Sequence, residues 1–116
     1  MASKTVETII ERACASWPVD ENLEITLEAN PSSADISRFT SYRIAGVNRL
    51  SLGVQSLDDS ALKFLGRSHN ANQAQNAMTS AKKIFDRVSF DFIYARPGQT
   101  IRKWREELAQ VLSLAG

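Results

Sequence analysis

Leu23-Glu24-Ile25-Thr26-Leu27-Glu28-Ala29 alternates without interruption: Leu23, Ile25, Leu27 and Ala29 fall on one side, Glu24, Thr26 and Glu28 on the other. A period of two marks a strand with one dry face and one wet face. Asn30-Pro31-Ser32-Ser33 breaks the strand. Ile36, Phe39 and Tyr42 or Arg43 then recur on successive helical turns as far as Gly46, a residue suited to ending a helix in a left-handed conformation. The same unit follows twice more. Asn48 to Gln55 reads as a second strand, with Leu50, Leu52 and Val54 opposed to Ser51, Gly53 and Gln55. Val88 to Tyr94 reads as a third, with Val88, Phe90 and Phe92 opposed to Ser89, Asp91 and Ile93.

Between and around these strands the sequence carries helix signals. Asp58 is placed to cap a short helix through Leu62 and Leu65, closed by Gly66. Asn70 with Gln73 forms a capping-box pattern ahead of Ala74, Ala77, Met78, Ala81 and Ile84. Pro97-Gly98 turns the chain, and Thr100 caps a last helix through Ile101, Trp104, Leu108 and Val111. At the start, Ser3 reads as an N-cap for a helix through Val6, Ile9, Ile10, Ala13 and Trp17, stopped by Trp17-Pro18. The expected organisation is one domain over residues 1–116, a helix followed by three βα units.

Strands that alternate with helices return to the sheet by crossovers, so they pair in parallel. In a flat sheet covered on both faces such strands read as continuous apolar runs. Each strand here keeps a polar face, which suits a barrel: the apolar face meets an outer layer of helices and the polar face lines the lumen. The fold class expected is therefore α/β, a partial (βα) barrel of the TIM-like type, with three parallel strands and flanking helices.

Composition narrows the function. With 14 Lys and Arg against 13 Asp and Glu the net charge is +1, and no basic or acidic run offers a nucleic acid or a membrane surface a footprint. No apolar stretch approaches the roughly 20 residues of a transmembrane helix, and the first residues lack a secretory signal pattern, so a cytoplasmic location is expected. Cys14 is the only cysteine and, between Ala13 and Ala15, is expected to be a buried packing residue.

Glu28, Gln55 and Asp91 stand at equivalent places, each on the polar face in the C-terminal half of its strand. In βα barrels that end carries the ligand site, so three side chains from neighbouring strands are expected to converge on one bound molecule. Two carboxylates and an amide suit recognition of hydroxyl or ammonium groups better than metal hydrolysis. Arg67, just past the Gly66 helix end, is placed to grip a carboxylate in fork geometry. His69 has no Asp, Ser or Cys at a spacing that makes a triad or a metal site, and reads as a loop residue.

Five segments together carry a resemblance: Glu28-Ala29-Asn30-Pro31, Gly46 through Ser56, Leu65-Gly66-Arg67-Ser68-His69, Ser89 through Tyr94, and Pro97-Gly98-Gln99-Thr100. In collinear order over nearly the whole chain, they resemble the radical S-adenosylmethionine (SAM) family of oxygen-independent coproporphyrinogen III oxidase-like proteins. The Gly-Val-Gln-Ser and Leu-Gly-Arg-x-His motifs look more like its HemW-type haem chaperones. The resemblance implies that Glu28, Gln55, Arg67 and Asp91 contact SAM. It departs at Ala95-Arg96, where many relatives carry Gly-Leu, and this bears on the geometry of that turn.

The resemblance also implies a [4Fe–4S] cluster, held by a CxxxCxxC motif that these residues lack, and haem as a candidate ligand of a full-length parent. On that comparison the chain is a central fragment truncated at both ends, contributing part of a SAM site and inactive alone. Its two unpaired sheet edges then favour edge-to-edge self-association. Two other readings stand beside the haem-chaperone one. In the first, the parent is an authentic coproporphyrinogen III oxidase that catalyses an oxidative decarboxylation. In the second, the chain is a SAM-independent binding module built on barrel geometry.

Overall fold

Leu50, Leu52 and Val54 have essentially no exposed surface, and the rest of the chain is arranged around them. The computed structural model describes all 116 residues, Met1 to Gly116. Helix α1 (Ser3–Ser16) leads to strand β1 (Thr26–Ala29), then the short helix α2 (Ser33–Ile36) and α3 (Phe39–Ala45). Strand β2 (Arg49–Gln55) is followed by α4 (Asp59–Phe64) and α5 (Ala71–Ile84), and β3 (Arg87–Phe92) by α6 (Ile101–Ala115). The strands form one parallel sheet in the order β1-β2-β3.

The apolar face of this sheet lies under a row of helices in which α1 meets α3, α3 meets α5 and α5 meets α6. Helix α5 turns Ala74, Ala77, Met78 and Ala81 inward, all buried. The three alanines let the helix sit close to the sheet, and Met78 fills the space between them. Phe39, Tyr42, Val47 and Phe85 complete the core, with the Phe39 and Phe85 rings edge to face at 6.0 Å. Burying each large apolar side chain stabilises the fold by about 1.5–3 kcal/mol. No helix covers the other face, where Thr26, Glu28, Arg87 and Asp91 are exposed. The radius of gyration is 16.0 Å, above the roughly 13 Å of a closed domain of this length, as an open arc of barrel wall requires.

The helix caps follow the sequence signals in most cases. Asp58, Asn70 with Gln73, and Thr100 each accept from the first-turn N–H groups of their helices. Gly46 and Gly66 end helices at φ 118° and 70°. After each, the next residue donates five residues back, Val47 to Tyr42 and Arg67 to Leu62, closing the helix as a Schellman motif.

Four expectations change. The first strand is shorter than Leu23–Ala29 because Asn48 intervenes. Its side-chain amide accepts from Ile25 N and donates to Leu23 O, taking the groups a longer ladder would use. The single helix expected up to Gly46 is two, separated at Ser37 and Arg38, where the Ser37 hydroxyl turns back to the Ala34 carbonyl. Ser3 does not cap α1; Ala2 holds that position and no side chain caps it. Cys14 is exposed, since α1 packs on α3 through Val6, its one buried residue, and Cys14 points away.

Candidate functional site

Strand register places the candidate residues. Glu28 pairs with Ser51 and Ser51 with Ser89, while Gly53 pairs with Asp91, so Glu28, Ser51, Gly53, Ser89 and Asp91 share the polar face. A hydrogen bond crosses that face: the Ser51 hydroxyl donates to Asp91 Oδ2 at 3.3 Å.

Gln55 needs a separate argument, because the β2–β3 register shifts between Gly53 and Gln55. Gln55 has φ 72°, and Ser56 N donates to Val54 O at 2.9 Å across it, which makes Gln55 the centre of a γ-turn of the rare positive-φ hand. A left-handed non-glycine residue costs about 1–3 kcal/mol, and such strain gathers at ligand sites. The turn folds the Gln55 side chain back along the sheet. Its Nε2 lies 3.2 Å from where a β-carbon on Gly53 would stand, and Asn30 Oδ1 lies 3.8 Å from the same point. The Gln55 amide thus packs against the open face of Gly53, whose strand partner is Asp91. The three expected strand residues therefore share one face.

Arg67 lies outside the sheet, exposed on the loop after α4. Its backbone N–H is fixed by Leu62 O, while its guanidinium enters no ion pair or hydrogen bond within the chain. The side chains of Glu28 and Gln55 are likewise without a hydrogen-bonding partner, and Asp91 has Ser51 alone. All four keep free capacity for a ligand. Below them on the same face, Glu24 links Arg87 and Arg49, and Arg49 reaches Ser89 Oγ at 3.1 Å. Opposite charges are spent there on one another.

Three groups hold Gln55 from behind. His69, expected as a loop residue, is buried, and its Nε2 lies 3.0 Å from Val54 O. A carbonyl only accepts, so Nε2 carries the proton. Ile93 N donates to Gln55 O at 2.9 Å. The third is an ion pair that sequence reasoning missed. Glu107 Oε1 accepts from the Ser56 hydroxyl at 2.6 Å and from Leu57 N at 2.9 Å, and Glu107 Oε2 meets Arg96 Nη2 at 2.8 Å. Both partners are only 9% exposed. Burial pushes the Glu107 carboxyl up, but hydrogen bonds from Arg96, Ser56 and Leu57 outweigh it and hold the group below its ordinary value.

A cavity of about 550 Å³ lies between α4 and α6, bordered by Asp58, Ser60, Phe64 and Lys103 and by Arg96 and Glu107 of the ion pair behind Gln55. No group of three or more His, Cys, Asp or Glu side chains is placed to hold a metal ion, and no helix is long and apolar enough to cross a membrane.

The radical SAM superfamily profile matches residues 2–111. The chain belongs to that superfamily. It is 45% identical over 115 residues to the mitochondrial radical S-adenosyl methionine domain-containing protein 1 of Dictyostelium discoideum, covering 97% of this chain and 26% of that protein. Against the haem chaperone HemW of Escherichia coli the identity is 34%, covering 98% of this chain and 30% of HemW. Among solved structures, the Escherichia coli coproporphyrinogen III oxidase HemN, a radical SAM enzyme, superposes with a TM-score of 0.85 at 23% identity. That match covers 98% of this chain and 26% of HemN. The chain thus spans between a quarter and a third of the length of these relatives. Its three parallel strands and flanking helices share the fold of part of the HemN radical SAM barrel.

Proposed function

We propose that this radical SAM chain supplies part of a SAM site, in which Glu28, Gln55, Arg67 and Asp91 contact the molecule. The observation that carries this reading is the Gln55 amide folded over Gly53, the strand partner of Asp91. The donor set fits the ligand. Carboxylates on a lumen face accept from ribose hydroxyls and an ammonium group, the amide both donates and accepts, and a free guanidinium pairs with a carboxylate. Beside a reduced cluster held by other residues, SAM would supply a carbon radical when one electron cleaves its sulfonium C–S bond and methionine leaves. The residues here do not fit the [4Fe–4S] cluster itself, since Cys14 is the sole cysteine and lies exposed on α1.

Isothermal calorimetry with SAM on the chain and on a Glu28→Ala, Asp91→Ala variant tests the site. The wild-type chain should release heat that the variant does not. Equal heats would remove the claim and favour the SAM-independent module.

Residues 1–116 are read as a central section of a longer barrel protein of the haem-chaperone type, with haem or a porphyrin as its ligand. The HemW name on several relatives at 34–39% identity supports the chaperone over the oxidase. Genomic sequence upstream of Met1 tests the section reading: an in-frame glycine loop with three cysteines supports it, and an in-frame stop opposes it. Haem binding by the longer protein, without decarboxylation of coproporphyrinogen III, would separate the chaperone from the oxidase. Four relatives carry "mitochondrial" in their names, which sets a mitochondrial location beside the cytoplasmic one. Fractionation of the host cell, probed for this chain, decides between them.

A further inference from the structure

A closed circuit of contacts runs behind Gln55. From Gln55 O it passes to Ile93 N, from Ile93 O to Arg96 Nη1 at 2.8 Å, and from Arg96 Nη2 to Glu107 Oε2. From Glu107 Oε1 it passes to the Ser56 hydroxyl and Leu57 N, which return it to the residue after Gln55. Ser56 is fully buried, and its oxygen also accepts from Asp58 N at 3.0 Å. One ion pair therefore links helix α6, the loop after β3 and the loop after β2, and all three meet at the γ-turn.

We infer that Arg96 and Glu107 are positioning residues: by fixing Ser56, Leu57 and Ile93 they hold Gln55 in its left-handed conformation, and so keep its amide over Gly53. This rests on the reading of Gln55 as a SAM contact. A γ-turn with positive φ does not persist on local preference, because an ordinary residue relaxes to negative φ unless its neighbours are held. Residue 54 is held by His69, residue 55 by Ile93, and residues 56 and 57 by Glu107. Releasing Glu107 frees the two residues on the C-terminal side of the turn while leaving every residue of the polar face unchanged. The ligand then meets a mobile amide and must order it on binding, which lowers affinity.

The test has two readouts on the chain. The first needs no ligand: nuclear Overhauser contacts between the Gln55 side-chain amide and the Gly53 α-protons should be present in the wild-type chain and lost in Glu107→Ala. If Glu107→Ala does not fold, Glu107→Gln carries the test. It keeps an acceptor oxygen but drops the charge facing Arg96, and should weaken those contacts. The second is a cycle of SAM affinities. Glu107→Ala should weaken binding about tenfold with Gln55 present and less than about twofold in a Gln55→Ala background. Contacts that persist in the folded variants, or equal losses in both backgrounds, overturn the positioning role and leave the SAM site standing. A Gln55→Ala variant that binds SAM as the wild type does overturns Gln55 as a contact instead.

Discussion

The side-chain amide of Gln55 stands 3.2 Å from the point where Gly53 would carry a β-carbon, so the two residues touch closely only because Gly53 has no side chain. The near atom is the tip of a flexible side chain, and Gly53 does not have positive φ. Gly53→Ala should therefore leave stability within about 1 kcal/mol of wild type in urea denaturation. It should push the amide aside by a few tenths of an ångström and weaken SAM binding about threefold by calorimetry. Parallel losses of stability and affinity would show that the glycine serves the strand rather than the site.

The Ala95-Arg96 pair should respond to substitution in opposite directions. Ala95 has φ 58°, a conformation glycine adopts without strain. Ala95→Gly should raise stability by about 0.5–1 kcal/mol. Arg96→Leu leaves Glu107 buried without its counter-charge and should cost about 3 kcal/mol. Urea denaturation of the two single variants checks both signs.

Acid should expose the contribution of Glu107. Its carboxyl is held below the ordinary value of 4.5 in the folded chain, so the unfolded chain binds the proton first. The stabilisation is complete above pH 4.5 and is lost as pH falls through the lower folded value. Asp58 adds an effect of the same sign from 3.8 downward, because the Ser60 hydroxyl bonded to its carboxylate lowers it despite some burial. Urea midpoints measured from pH 7 to pH 3 should fall less steeply for Glu107→Gln than for wild type.

Strands β1 and β3 each pair on one side only. Light scattering should therefore find species larger than a monomer, growing with concentration. A monodisperse monomer with a cooperative thermal transition would contradict this.

The sequence made the wall legible because hydrophobic alternation reports burial directly: Leu50, Leu52 and Val54 are buried where the pattern put them, and the Asp58, Asn70 and Thr100 caps follow from local chemistry. The same parity put Glu28 and Asp91 on one face. Gln55 reached that face by another route, since the register slips after Gly53 and a γ-turn restores the direction of the side chain. Alternation cannot encode such a slip. Nor can it encode Glu107, which meets Ser56 across a separation of 51 residues. Cys14 was misplaced because a run of small residues on a helix says nothing about which side another element will cover.

Each strand lies beside its neighbour in sequence, so the wall is laid down in the order a ribosome delivers it. No early strand waits for a late one, and each new unit docks on an edge already waiting. Nascent chains stalled after α5 and after α6 should gain resistance to protease one unit at a time, the second gain larger because β3 and α6 bring in the Arg96–Glu107 pair.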